Sequence, residues 1–222
     1  MTLALTPATS QTGANPQSAA NWGDAFAWAG QPPEFCREQP FALDWQQPLF
    51  DEVGQALALG QTIRPAIIGP LTYLWLGKVK EEGFDKLELL EQLLPLYGEV
   101  LGRLAAEGLE WVQIDEPILA LELAQEWKNA FERAYHILQY SPLQKLLAVT
   151  GGGLTDNLGV TVTLPVAGLH IDLVSAPQTL PAVLDRLPTY KVLSFAGPCE
   201  LALLQRAQER FGDNLWLASD KA

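Results

Sequence analysis

Leu109-Glu110-Trp111-Val112-Gln113-Ile114-Asp115-Glu116-Pro117 is the stretch on which the reading of this chain turns. Residues 111–114 form a short β-prone run that stops at two adjacent carboxylates and a proline. Before it, residues 84–107 are amphipathic at helical spacing and are closed by Gly108; after it, residues 119–138 repeat that character. A strand between two helices, with acids at its C-terminal end, is the unit of parallel βα folds, and those folds place their ligand sites at that end.

Outward from this unit the alternation continues. Asp44 predicts an N-cap for a helix over 45–59, closed by Gly60. A strand over 65–69 leads through Gly69-Pro70 to an apolar piece at 71–76. Asp85 opens the long helix to residue 107, with Leu87, Leu90, Leu93, Leu94, Tyr97, Leu101 and Leu104 on one face, and Pro95 predicts a kink or a break in it. Further strands are expected at 145–149, 169–174, 191–195 and 215–218, with helices from Thr155, over 178–187 and over 200–211. This is an α/β chain with a parallel sheet. Six strands can be counted where a closed (βα) barrel of the TIM type has eight, usually over roughly 250 residues. The expectation is therefore a partial barrel over residues 22–222, with the chain cut at both ends. Residues 1–21, rich in Thr, Ser, Gln, Ala, Asn and Pro without periodicity, read as a disordered tail. Residues 22–41 carry Trp22, Phe26, Trp28, Phe35 and Phe41 among Gly and Pro, too interrupted for a regular element. With two staves short, the sheet edges and an inner face expected to alternate Ile, Val and Leu need a cover, supplied by residues 22–41, by a partner barrel or by self-association.

Composition narrows the function. The 222 residues hold 14 Lys plus Arg against 26 Asp plus Glu, a net charge of −12, which argues against nucleic acid and anionic membrane surfaces as partners. No apolar run reaches the ~20 residues of a membrane helix, and the N-terminus has no signal-peptide pattern. Cys36 and Cys199 lie far apart in sequence, so a disulfide scaffold is not expected and a reducing, cytoplasmic compartment fits.

The candidate catalytic residues are Asp115 and Glu116. Such a pair can hold an amino group or act as general acid and base, and it can equally cap the following helix and meet its dipole. Gly151-Gly152-Gly153 follows a strand but lacks the context of a phosphate loop and reads as a flexible βα turn. His170 and Asp172, two residues apart on one strand, share a face and form either a hydrogen-bonded pair or a structural histidine. His136 suits a helix C-terminus. No Cys or His spacing suggests a metal site. The aromatic-rich stretch 71–78 is either a hydrophobic lid or docking surface, or a segment packed under its own rim.

Three stretches carry a family resemblance: Ile68-Gly-Pro-Leu-Thr-Tyr-Leu-Trp-Leu-Gly-Lys78, then Gly108 through Pro117, then Gly168-Leu-His-Ile-Asp-Leu173. From about Pro33 to the C-terminus the chain resembles cobalamin-independent methionine synthase, and more narrowly the later part of that enzyme's N-terminal barrel. The resemblance implies two related (βα)8 barrels that transfer a methyl group from 5-methyltetrahydropteroyl-polyglutamate to homocysteine. It also implies a zinc thiolate site in the C-terminal barrel and an N-terminal barrel that braces the site and contributes to folate binding. This sequence departs from that pattern in three places: the C-terminal barrel is missing, the family's first strand with its Arg-Glu-Leu-Lys folate segment is missing, and Asn21 stands where the family has a folate-contacting lysine. Laying the zinc-bearing barrel over this one puts its ligand positions near Ala148 and Thr150, at Asp172 and at Lys221, and Asp115 where an Asp holds the homocysteine amino group. The resemblance therefore implies no metal and no cofactor in this chain alone, weak or absent folate binding, and a catalytic barrel supplied by another chain as partner. Two functions stay open: a split or truncated methionine synthase half, inactive alone, or a non-catalytic barrel remnant that binds or interacts.

Overall fold

Residues 34–37, 41 and 48–217 are described in this computed structural model. The tail 1–21 with Asn21, most of residues 22–41 and Lys221 lie outside the described residues. The helix expected over 45–59 appears as α1 (Pro48–Ala58). Then follow β2 (Ala66–Ile68), α2 (Pro70–Leu76), a 3₁₀ turn at Lys86–Leu89, α3 (Leu90–Ala106), β4 (Trp111–Asp115), α4 (Gln125–Leu138), β5 (Gln144–Val149), α5 (Leu158–Thr163), β6 (Gly168–Asp172), α6 (Thr179–Arg186), β7 (Val192–Ala196), α7 (Leu201–Phe211) and β8 (Leu215–Leu217).

The sheet is parallel throughout, in the order β2-β4-β5-β6-β7-β8, so chain order and spatial order coincide as in a βα barrel wall. Its register places Ile67, Ile114, Leu147, Leu169, Leu193 and Leu215 in one row across all six strands. That row packs under the helices with Leu93, Tyr97, Leu101, Phe131 and Leu184 in a single hydrophobic core. β2 and β8 each have one neighbour, so among the described residues the sheet keeps two free edges.

The inner face differs from the expectation. One residue along, the register lines up Ile68, Asp115, Ala148, His170, Ser194 and Trp216. Ile68 and Trp216 stand on the two edge strands, and polar or small residues fill the four positions between them where alternating Ile, Val and Leu were expected. Trp216 on the last strand lies 4.7 Å from Trp111 on β4 in an edge-on contact, and the Arg64 guanidinium, just before β2, lies 5.6 Å over its ring. The sheet thus curls until its sixth strand reaches the start of its first two across the inner face.

Three further differences have physical causes. α3 runs through Pro95 unbroken: Leu93, Leu94, Tyr97, Val100 and Leu101 are buried on either side of it, and that burial outweighs the lost hydrogen bond. The helix expected over 119–138 splits into a 3₁₀ turn at Pro117–Ala120 and α4. The Asn157 Nδ2 donates to the carbonyls of Leu119 and Leu121, at 2.8 and 2.6 Å, which a continuous helix would need for itself. An additional short parallel pair joins β1 (Glu34–Phe35) to β3 (Lys78–Val79). Phe35 is fully buried against Tyr73 and Phe41, and a Cβ on Gly77 would overlap its ring. These aromatics cover α2, whereas the described floor of the inner face is formed by Trp111 and Trp216.

Cations satisfy several helix ends. Lys86 donates to the carbonyls of Trp75 and Gly77 at the end of α2, Lys191 to those of Val162 and Leu164 at the end of α5, and Arg210 to that of Leu187 at the end of α6. Lys145 does the same for the turn after α4, through Ser141 and Leu143. Burial pushes the ammonium groups of Lys145 and Lys191 down to about 8.

Candidate functional site at the strand ends

The two carboxylates that end β4 point to opposite sides of the sheet, as successive strand residues must. Asp115 is on the inner face, where the Gln113 Nε2 donates to its Oδ1 at 2.8 Å. Burial pushes its carboxyl up to about 6, against the pull of the Gln113 hydrogen bond and the Arg64 charge. Glu116 turns the other way and is completely buried. Its Oε2 accepts from the Thr72 N–H at 2.7 Å and the Thr72 hydroxyl at 2.6 Å; its Oε1 accepts from the Leu71 N–H and the Tyr135 hydroxyl, both at 3.2 Å. Burial pushes this carboxyl up to about 7, while those donors draw it back down.

Glu116 is therefore a helix cap, but of α2, the helix that follows the neighbouring strand, and not of its own following helix. The N–H groups of Leu71 and Thr72 are orphan donors of α2's first turn, and a buried carboxylate satisfies them from across the fold. Gly69 makes room: a Cβ there would overlap the Glu116 carboxyl. The Tyr97 hydroxyl donates to the Ile68 carbonyl at 2.8 Å and ties the same corner to α3. The aromatic-rich stretch 71–78 belongs to this corner. Leu71, Tyr73 and Leu74 are buried, and Trp75 packs edge-on against Trp127 at 4.8 Å, so it packs within its own rim.

His170 and Asp172 share the inner face as expected but do not pair. The His170 Nδ1 lies 2.9 Å from the Ser194 Oγ, and burial and the Arg64 charge push its imidazole down to about 4, against the pull of Asp172. Asp172 instead accepts from the backbone N–H groups of Val174 and Ser175 and from the Ser175 hydroxyl, at 2.8, 3.3 and 2.5 Å, and from Gly151 N–H at 3.4 Å. It fixes the βα turn and draws the Gly151-Gly152-Gly153 loop to it. His136, in the last turn of α4, has its Nδ1 2.7 Å from the Glu132 carbonyl.

A zinc ion does not fit the positions suggested by overlaying the family's metal barrel. Ala148 offers no donor atom, and both Asp172 oxygens are engaged in the turn. Among the described residues no group of three or more His, Cys, Asp or Glu side chains is placed to hold a metal.

The sequence reading missed Arg64, Gln113, Ser194 and Trp216, which together with Asp115 and His170 make the inner face polar. The signal was there: counting by twos along each strand from Asp115 and His170 selects Gln113 and Trp111, and one register step across selects Ser194.

A six-stranded parallel βα wall, curled at one end and with its strand-end acids partly committed to holding helices, defines a domain of the TIM-barrel class. A profile of the cobalamin-independent synthase N-terminal domain matches residues 31–197, and the chain belongs to that family. Among solved structures, a B12-independent methionine synthase from a Shewanella species, in complex with selenomethionine, superposes with a TM-score of 0.58 at 13% identity. The superposition covers 81% of this chain and 60% of that one, so this chain spans less than two thirds of its structural relative. No helix among the described residues is long and apolar enough to cross a membrane.

Proposed function

We propose that this chain acts as the N-terminal half of a cytoplasmic cobalamin-independent methionine synthase. It serves methyl transfer from 5-methyltetrahydropteroyl-polyglutamate to homocysteine only in company with a zinc-bearing catalytic barrel. The family match over residues 31–197 carries this reading. The commitment of Glu116 to a helix end and of Asp172 to a turn supports inactivity alone, because neither acid is left to do chemistry. Folate binding by this chain alone is weak, since a polyglutamate tail needs cations and Asn21 stands where the family has a lysine.

The test is a methyl-transfer assay and a metal analysis on the purified chain, with and without an added catalytic barrel of the family. No stoichiometric zinc and no turnover alone, with turnover on addition, is the expected result. Turnover or equimolar zinc in the chain by itself would refute it. A second reading, a non-catalytic binding domain, is favoured by the polar inner face around Arg64, and failure of the added barrel to restore activity would select it. The free edges at β2 and β8 also favour self-association, which sedimentation over a concentration series would reveal.

A further inference from the structure

The floor of the inner face holds a cavity of about 550 Å³ bounded by Arg64, Trp111 and Trp216 together with Leu57, Ile63 and Leu109. Arg64 is unusual in it. Its guanidinium lies over the Trp216 ring, yet no carboxylate, carbonyl or hydroxyl among the described residues accepts a hydrogen bond from it. A guanidinium carries five donors in a planar fork that matches a carboxylate in two parallel bonds. The contact with the indole is a cation–π contact at 5.6 Å that involves no hydrogen-bond acceptor, so the fork keeps its donors. The rest of the lining mixes the apolar and aromatic side chains with the neutral polar Gln61 and Thr62, and Glu110 is its one acidic member.

We propose that this cavity is a binding site for a small monocarboxylate with an apolar or aromatic body. The carboxylate sits on the free edge of Arg64, and the body lies against Leu57, Ile63, Leu109 and Trp111. The volume falls within the range of small-molecule sites. Glu110 sets the selectivity: a second negative charge on the ligand meets a like charge at the rim, so dicarboxylates are excluded. In a chain of net charge −12, an anion has little to hold it here except Arg64. This inference rests on the cavity and the Arg64 fork and not on the methyl-transfer reading, although the Arg64 charge also reaches Asp115 and His170.

The test is titration calorimetry of the full chain with phenylacetate, with neutral phenylacetamide, and with the dianion phenylmalonate. Saturable binding of phenylacetate at one site, with the amide and the dianion each at least about tenfold weaker, is the expected result. Arg64→Met should weaken phenylacetate about tenfold or more, whereas Arg64→Lys keeps the charge and loses less. Circular dichroism establishes that each variant is folded; if Arg64→Met is not, Arg64→Gln takes its place. No saturable binding, equal binding of the amide, or undiminished affinity in the folded neutral variant would each overturn the proposal.

Discussion

The outward row Ile67, Ile114, Leu147, Leu169 and Leu193 and the inward row Ile68, Asp115, Ala148, His170 and Ser194 lie one residue apart on the same strands. Their side chains live under different rules. The outward row is dry, covered by helices, and interchangeable in chemistry: any aliphatic side chain of the right volume serves. The inward row mixes Ile68 and Ala148 with the polar Asp115, His170 and Ser194, whose hydrogen-bond partners are individual, and Arg64 just before β2 has no acceptor among the described residues. The outer face thus holds the fold together, and the inner face is free to carry specificity.

That contrast can be broken from either side. The largest effect is expected from Leu147→Ala in the outward row, which removes a fully buried side chain from the core and should cost ~2–5 kcal/mol in urea unfolding. A loss below ~1 kcal/mol would mean that the wall is not packed as described. Next comes Glu116→Gln. The amide keeps one acceptor but presents a donor to the Thr72 N–H, leaving it unsatisfied at a cost of about 1–3 kcal/mol. Its pH dependence is diagnostic. The carboxyl is raised to about 7 from 4.5, so its contribution to stability is fully present below pH 4.5 and is lost as pH rises through 7. Melts across that window should show wild type and Glu116→Gln converging toward the alkaline end, and parallel curves would count against a titrating Glu116.

A smaller effect is expected on the inner face. His170→Gln removes the bond to Ser194 for about 1 kcal/mol at neutral pH. The wild-type imidazole is lowered to about 4 from 6.5, so its contribution is present above 6.5 and is lost as pH falls through 4. The gap between wild type and variant should narrow or reverse in acid; a gap that widens there would exclude a neutral, buried His170. Smallest of all is Arg133→Ala. Its ion pair with Glu91 joins two exposed side chains at 3.2 Å and should shift stability by less than ~0.5 kcal/mol.

The βα alternation was legible because the outward row is continuous aliphatic sequence and the helices between carry their own spacing and stops. All six strands lie within a residue or two of where apolar runs and turn residues put them. The polarity of the inner face was not read, since a strand covered on both sides looks apolar as a whole and only the pairing register separates its two faces. The break at 121–124 was hidden because its cause, Asn157, is remote in sequence and acts through two borrowed carbonyls. Of the site, the sequence pointed to Asp115 and Glu116 together. It could not tell that one faces inward and the other seals a helix belonging to the neighbouring strand, because that depends on Gly69 admitting the carboxyl.

The cations at the helix ends bear on how such a chain can be divided. Lys86, Lys191 and Arg210 each sit on a different element from the helix end they satisfy. Excising or exchanging one βα unit would strand bare carbonyls on one side and a half-buried charge on the other. Fusion, circular permutation or recombination with a related barrel should therefore succeed at turns that no such side chain crosses, such as the open glycine turn at Gly60, and fail at Gly83, which lies between Lys86 and the end of α2 that it serves. The seams of this domain are set by how far its basic side chains reach, and shuffled descendants should carry each cation together with the helix it serves.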